Sequence, residues 1–156
     1  EAGDQVRDSV RALRSLLVEI YPPNLYEEGL EAALGDLTAK LEARGIVSSL
    51  VVDAPVELLA TDQTQLVYRA AQEGLRNVAA HAGASQVAVR VDGDDETVVL
   101  QVIDNGRGMP ESEIGERDGH MGLKALSGLA AGMGATVSLS SAPGHGTVLT
   151  LEVPIR

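Results

Sequence analysis

Two neighbouring segments with alternating apolar and polar residues constrain the fold more than any other feature of this sequence. SQVAVRVD at residues 85–92 and TVVLQVID at residues 97–104 both alternate with the period of a β-strand. The acidic stretch DGDDE between them supplies a turn, so the two segments are expected to pair as a hairpin. A sheet with one buried face is therefore predicted at the centre of the fold.

Helical and strand-like segments alternate along the rest of the chain. Helices are predicted at residues 3–20, 29–45, 62–82 and 123–134. Further strands are predicted at residues 46–53, 135–141 and 147–154. With the hairpin this makes about five strands, which indicates an α/β fold. We expect a two-layer α/β sandwich in which helices cover one face of a mixed sheet.

Several helix boundaries have recognisable signals. Pro22 and Pro23 stop the first helix, because proline removes a backbone donor and restricts the residue before it. Gly45 is expected to cap the second helix. Asp62 and Gln65 resemble a capping box at the start of the third helix.

The composition excludes several classes of function. The 156 residues are enough for one domain with its own core, and a net charge of −11 argues against nucleic acid as the main ligand. Three Tyr with no Phe or Trp provide no base-stacking platform. The absence of Cys excludes a disulfide framework and a thiolate zinc site.

The sequence also bears on localisation. No apolar run approaches the about 20 residues of a membrane span, and no signal peptide is present. The chain starts without Met in what reads as mid-helix, so we expect a segment of a longer protein. We expect this segment to be cytoplasmic and to make no direct membrane contact, whether or not the parent protein is membrane-bound.

A line of polar residues crosses the helix predicted at residues 62–82. Glu73, Asn77 and His81 are spaced i, i+4, i+8 and stack at the edge of its apolar face. Polar groups beside a core are costly unless something satisfies them, so the line is either a structural network or a pocket. We favour the pocket, because a carboxamide oxygen suits Mg²⁺ and a nearby Glu could orient or deprotonate a nucleophile.

Three glycine-rich loops follow in order along the chain. They are DNGRG at residues 104–108, GHMGL at residues 119–123 and GHGT at residues 144–147. Each loop alone is weak evidence for a binding site. The middle loop, however, stands at the start of a predicted helix, where backbone N–H groups form an anion site. Neither a P-loop nor a Rossmann fingerprint is present.

In combination, the polar line and the three loops resemble the N, G1, G2 and G3 boxes of the GHKL ATP-binding superfamily. That superfamily includes the sensor histidine kinases, gyrase-type topoisomerase subunits and MutL. The resemblance covers roughly residues 62–154. It implies a Bergerat α/β sandwich that binds Mg-ATP.

The resemblance implies a role for each box. Asp104 would accept a hydrogen bond from the adenine amino group, with Gly106 and Gly108 letting the backbone lie against the base. Asn77 would coordinate Mg²⁺, and Glu73 is the candidate base or orienting group. The full implied nucleotide-binding set is Asn77, His81, Asp104, Gly106, Gly108, Met109, Gly119, Met121, Gly122, Leu123 and Thr147.

Within that set, three residues would approach the phosphates: Gly119, Gly122 and Leu123. Thr147 would lie near the adenine and support Asp104. Residues 105–118 would form a short, polar ATP lid.

The first sixty residues resemble one branch of the family. VRALRSLLVEIYPPNLYEEGLEAAL is similar to the histidine kinases that pair with helix-turn-helix response regulators. By this resemblance, residues 1–23 are the end of a dimerisation helix with its linker, and residues 24–156 are the catalytic domain. Expected partners are the protein's own dimerisation and phosphoacceptor domain and a response regulator, in a homodimeric parent.

The chain departs from the family pattern in two ways. Ala80 stands where the family often has Lys or Arg, and none of His81, His120 or His145 lies in a phosphoacceptor motif. The acceptor His is therefore expected outside this segment. Two alternatives stay open: a non-catalytic nucleotide-sensing module, and an anti-sigma-factor-type serine kinase. A gyrase-like ATPase would need a transducer domain and a basic DNA surface.

Overall fold

In a computed structural model of the chain, the structure describes Val6, residues 23–108 and residues 121–156. At Pro23, His81, Ala82 and Met121 only the backbone is described. The predicted first helix and most of the predicted lid lie outside these residues.

Four helices and five strands form the described part of the chain. The helices are α1 (Pro23–Glu27), α2 (Leu30–Glu42), α3 (Thr61–Asn77) and α4 (Met121–Gly132). The strands are β1 (Val47–Asp53), β2 (Gln86–Gly93), β3 (Thr97–Asp104), β4 (Thr136–Ser141) and β5 (Thr147–Pro154). A short 3-10 turn, Val56–Leu58, precedes α3, and a π-helical turn, Val78–Ala82, follows it.

The five strands form one mixed sheet in the order β1-β2-β3-β5-β4. The β1–β2 pair is parallel, and the other three pairs are antiparallel. The predicted hairpin is confirmed: β2 and β3 pair directly, and Asp94 Oδ1 accepts the N–H groups of Glu96 and Thr97, both at 2.9 Å. The predicted mixed sheet of about five strands is therefore correct.

Helices cover one face of this sheet. The central strands β2, β3 and β5 alternate between buried and more exposed residues, and their buried side chains face the helices α3 and α4. Val47 and Val51 of β1 point to the other face and are 65% and 48% exposed. The core is built from Leu, Val and Ala with one Tyr, as the composition requires.

Two helices end in the same glycine motif. After α2, Gly45 adopts a φ of 86°, and the Ile46 N–H donates to the Leu41 carbonyl at 3.1 Å. After α4, Gly134 adopts a φ of 72°, and the Ala135 N–H donates to the Ala130 carbonyl at 2.8 Å. This pairing is the Schellman arrangement, which only a left-handed residue completes. The expected role of Gly45 is confirmed, and α4 ends two residues earlier than predicted.

The predicted capping box at Asp62 and Gln65 is wrong. The helix α3 starts one residue earlier, with Ala60 as its N-cap, so the third helical residue is Gln63. Gln63 Oε1 accepts the Ala60 N–H at 3.0 Å, and its Nε2 donates to the Pro154 carbonyl at 2.7 Å. This fully buried amide joins the start of α3 to the end of β5.

Candidate nucleotide-binding site

Helix α3 runs in the same direction as β3 and ends beside the end of that strand. Its start is fixed at Pro154, which pairs with Thr97 at the beginning of β3. Further along, a Cβ on Gly74 would lie 3.0 Å from side-chain atoms of Val102 and Leu149. Glycine is required there because the helix lies directly on the sheet. The end of α3 and the end of β3 therefore reach the same edge of the domain.

Glu73 is buried at this edge, with only 7% of its surface exposed. Arg76 Nη1 lies 3.2 Å from Glu73 Oε2, and the same carboxylate lies against the first turn of α4. A Cβ on Gly122 would come within 2.4 Å of Glu73 Oε1. Two boxes that the sequence separates by almost fifty residues are thus in contact, and a side chain at Gly122 would displace the Glu73 carboxylate from this position.

Asn77 is the last residue of α3 and is half-buried. Among residues 23–108 and 121–156, its carboxamide makes no hydrogen bond, so a half-buried hard oxygen ligand has no protein partner there. This fits a Mg²⁺ ion, which takes one or two protein oxygens and keeps several waters. Within the same described ranges, no cluster of three or more His, Asp or Glu could hold a metal by itself.

The chain changes its helical geometry directly after Asn77. The predicted α-helix to residue 82 is instead an α-helix to Asn77 followed by the π-helical turn Val78–Ala82. Gly83 then adopts the left-handed conformation, with φ 58°, and ends the helix. Single π-turns are frequent at functional sites. The backbone of His81 lies in this turn, and Ala80 is exposed there.

Asp104 ends β3 as a carboxylate with 8% of its surface exposed. Burial raises its pKa above the ordinary value of 3.8, because a charged carboxylate loses hydration. Backbone N–H groups of Gly106 and Thr147 oppose that shift, and the Gly106 N–H donates to Oδ1 at 2.8 Å. The carboxylate is thus held by the backbone while its remaining lone pairs can accept further hydrogen bonds.

Thr147 begins β5 directly opposite Asp104 in the β3–β5 ladder. Its hydroxyl lies 2.8 Å from Ser141 Oγ, which also donates to the Gly146 carbonyl at 3.0 Å. The sequence prediction that Thr147 lies beside Asp104 agrees with this register. Its backbone, rather than its hydroxyl, supplies the contact with the carboxylate.

The first and third glycine loops pack against each other. A Cβ on Gly108 would lie 2.0 Å from the Ala142 carbonyl, and a Cβ on Gly146 would lie 2.0 Å from the Asp104 carbonyl. The Gly144 N–H also donates to the Arg107 carbonyl at 2.7 Å. Gly108 and Gly146 both have positive φ angles. Glycine is therefore needed at position 108 for the packing of the two loops, in addition to its expected contact with the base.

The structure brings together only part of the predicted site. Glu73 contacts Gly122, Asp104 pairs with Thr147, and Leu123 lies half-buried in the first turn of α4. Met109 and Gly119 lie outside the described residues. Two further side chains at the site, Arg76 and Asn105, were not among the predicted site residues.

A comparison with protein families decides what kind of domain this is. Residues 61–156 match the family described as "Histidine kinase-, DNA gyrase B-, and HSP90-like ATPase". The chain belongs to this family. The matched region contains all four boxes and the elements α3 and β3, which carry Glu73 and Asp104. The prediction of an ATP-binding domain of the GHKL type is therefore confirmed.

Curated relatives within this family are sensor kinases. The histidine-protein kinase/phosphatase UhpB of Salmonella typhimurium is 33% identical over 93% of this chain and 28% of its own length. The sensor histidine kinase NarS of Mycobacterium tuberculosis is 31% identical over 92% of this chain and 34% of its own length. The chain thus spans about a third of these relatives, and aligns with them along nearly all of its own length.

Solved structures share the fold. A blue-light activated histidine kinase of Erythrobacter litoralis superimposes with a TM-score of 0.67, at 22% identity, over 97% of this chain and 50% of that protein. The mycobacterial sensor histidine kinase MprB gives a TM-score of 0.59, at 18% identity, over 80% of this chain and 93% of that structure. These matches confirm the predicted α/β architecture. Among the described residues, no helix is both long and apolar enough to cross a membrane.

Proposed function

We propose that this chain binds Mg-ATP and transfers the γ-phosphoryl group to a histidine on the dimerisation helix of a sensor histidine kinase. The observation that supports this most directly is the shared direction of α3 and β3. It brings Glu73 and Asn77 to the same edge as the buried carboxylate of Asp104. In this proposal, the residue that binds adenine, Asp104, and the residues that act near the phosphates, Glu73 and Asn77, therefore belong to one site.

Each side chain has a distinct task in this proposal. Asp104, held by backbone N–H groups, accepts a hydrogen bond from the exocyclic amine of adenine. Asn77 would hold Mg²⁺, which neutralises phosphate charge when bound. The first turn of α4 presents backbone N–H groups to the phosphates, with Gly122 leaving space for Glu73.

The transfer itself needs positioning more than covalent help from the protein. A nitrogen of the acceptor imidazole attacks the γ-phosphorus, and the bond to the β–γ bridging oxygen breaks to release ADP. In this proposal Glu73, which is buried next to the first turn of α4, orients the acceptor or takes its proton. The phosphohistidine would then pass its phosphoryl group to a response regulator.

The proposal is tested by combining binding and transfer measurements. Titration calorimetry should show Mg-ATP and ADP binding to the chain. A separately supplied dimerisation segment that bears the acceptor histidine should then gain an acid-labile label from γ-labelled ATP. Failure to bind adenine nucleotides would contradict the proposal, and acid-stable label on serine would favour a serine kinase. Tight binding without any transfer would favour a nucleotide-sensing module.

A further inference from the structure

Asn105, directly after the adenine-reading carboxylate, is held by four hydrogen bonds to a segment that does not belong to its own loop. Its Oδ1 accepts the N–H groups of Ser85 at 3.0 Å and Gln86 at 2.9 Å. Its Nδ2 donates to Ser85 Oγ at 2.9 Å, and its backbone N–H donates to the Gln86 carbonyl at 3.2 Å. The side chain therefore uses both of its polar atoms on the start of β2.

These bonds join the two halves of the proposed site. Ser85 and Gln86 follow Gly83, which ends the π-helical turn after Asn77. Asn105 lies between Asp104 and Gly106. The Gly106 N–H donates to the Asp104 carboxylate at 2.8 Å. A rotation of the Asn105 backbone would therefore move the amide that holds that carboxylate.

The loop is anchored separately on its other side. The Gly144 N–H donates to the Arg107 carbonyl at 2.7 Å, and Gly108 packs against the Ala142 carbonyl. The β5 side is thus fixed by backbone packing, whereas three of the four hydrogen bonds on the β2 side are made by one amide side chain. Loss of that side chain leaves, of these four, only the backbone hydrogen bond from the Asn105 N–H to the Gln86 carbonyl.

We propose that Asn105 is a positioning residue for the nucleotide base: it sets the orientation of the Asp104 carboxylate without contacting the ligand. This inference rests on the proposed adenine-binding role of Asp104. It predicts a selective defect, because the phosphate-side groups Asn77, Glu73 and Gly122 are held by α3, α4 and the core. Base binding should weaken, and phosphate binding should not.

The test compares two ligands on Asn105→Ala by titration calorimetry with Mg²⁺ present. ADP carries the base, and inorganic triphosphate does not. We expect ADP affinity to fall about tenfold, comparable with the loss of one hydrogen bond to the base, with triphosphate affinity within about twofold of wild type. Asn105→Asp keeps an oxygen for the two backbone N–H groups and should recover most of the ADP affinity.

A matched control separates positioning from general loosening of the fold. Asn24→Ala removes an amide hydrogen bond to Asp36 between α1 and α2, two helices that carry no residue of the proposed site, and should leave both affinities unchanged. Thermal unfolding of each variant gives its stability. If Asn105→Ala does not fold, Ser85→Ala removes only the Nδ2 contact and should show the same selective loss at smaller size.

The outcomes are distinct. Equal losses of ADP and triphosphate affinity, or no loss of either, would overturn the positioning role. A defect in Asn105→Asp as large as in Asn105→Ala would overturn the assignment of Oδ1 as the essential acceptor. If the wild-type chain binds neither ligand, the proposed function itself fails. If the wild type and the Asn105→Ala variant bind ADP equally well, only the positioning role fails.

Discussion

At the scale of single residues, two buried carboxylates have different surroundings. Asp104 is held by backbone N–H groups at the end of a strand. Glu73 lies between a guanidinium and the first turn of α4. Charged groups in protein interiors persist when they are paired or hydrogen-bonded, and both of these are. In the proposed function, Asp104 binds the base and Glu73 acts near the phosphates.

Asp104→Asn should weaken adenine nucleotides selectively. The substitution removes the negative charge of the carboxylate that accepts a hydrogen bond from the exocyclic amine. We expect a loss on the order of 1–3 kcal/mol in binding free energy. Calorimetric titrations with ATP and GTP measure the effect. Equal losses for the two nucleotides would mean that Asp104 does not distinguish the bases.

The pH dependence of binding provides a control for this prediction. Burial raises the pKa of Asp104 above 3.8, so the carboxylate becomes protonated at a higher pH than an exposed Asp. As the pH falls through that raised pKa, ADP affinity should fall with it, because the protonated group accepts hydrogen bonds less strongly. Asp104→Asn should lack this acid-dependent step.

Asn77→Ala and Glu73→Gln should fail in different ways. Loss of the proposed metal ligand should weaken Mg-ATP binding and abolish transfer, because the phosphates then face a domain with a net charge of −11. Glu73→Gln should leave binding nearly intact and lower only the transfer rate, since its role arises as the acceptor attacks. Calorimetry and single-turnover transfer separate these effects. Equal loss of affinity in both variants would indicate one structural network.

At the scale of elements, the site depends on close approaches that leave no space for a side chain. Helix α3 touches the sheet at Gly74, α4 touches α3 at Gly122, and the first glycine loop touches the third at Gly108 and Gly146. Each contact brings two segments distant in sequence to one edge of the domain. At Gly108 and Gly146 a Cβ would collide with a backbone carbonyl and the φ angle is positive, so glycine is needed there for both space and conformation.

Gly74→Ala should destabilise the domain although alanine is the better helix former. The added Cβ would lie 3.0 Å from side-chain atoms of the buried residues Val102 and Leu149, so these side chains or the helix would have to shift. We expect a loss of about 1–3 kcal/mol in the free energy of unfolding. Chemical denaturation measures it.

Gly35→Ala is the matched control for this helix substitution. Gly35 lies within α2, and a Cβ there meets nothing within 4 Å. The same gain in helix propensity should therefore stabilise the domain by up to about 1 kcal/mol. If both variants were stabilised to the same extent, α3 would not be in the close contact with the sheet described above.

Gly146→Ala should cost more stability than Gly144→Ala. Both glycines have positive φ angles, 69° and 78°, so each substitution carries a similar backbone strain of roughly 1–2 kcal/mol. Only at Gly146 would the Cβ also collide with a backbone carbonyl, that of Asp104. Unfolding of the two variants in urea gives the difference, which we expect to be at least about 1 kcal/mol. Equal costs would contradict the loop–loop packing.

At the scale of the whole molecule, the chain is an acidic α/β domain with one covered and one open face of its sheet. It aligns with sensor kinases two to four times its length. The described residues of the proposed nucleotide site lie at the ends of α3 and β3 and at the starts of α4 and β5. In the proposed reaction, the acceptor of the phosphoryl group approaches the edge of the domain where these elements meet.

The isolated chain should bind Mg-ATP without labelling itself. None of its three histidines lies in a phosphoacceptor motif, and His145 is an exposed residue in the turn between β4 and β5. Incubation with γ-labelled ATP should therefore leave no stable phosphohistidine on the chain. Label that appears only after an acceptor segment is added would agree with this expectation. Acid-labile label on the chain alone would show that it carries its own acceptor.

Local sequence patterns predicted the helices and strands and supplied the candidate residues of the site. Alternation with a period of two predicted β2 and β3, and the line of Glu73 and Asn77 along an amphipathic helix predicted the polar edge of α3. These patterns are local, because a strand or helix presents its own side chains whatever it packs against. The boundary of α3 was less predictable, since the buried amide that caps it, Gln63, is fixed by a contact with Pro154 at the far end of the chain.

Contacts between distant segments could not be predicted from local sequence patterns. The insertion of β5 between β3 and β4 places Thr147 opposite Asp104, and it brings Gly146 against the carbonyl of Asp104. Likewise, Asn105 reaches back some twenty residues to the start of β2. Periodicity carries no signal for such contacts, because register and loop packing are set by the partner segment rather than by the residue's own neighbours. The sequence therefore contains the chemical groups of the site, and the fold decides which of them hold one another in place.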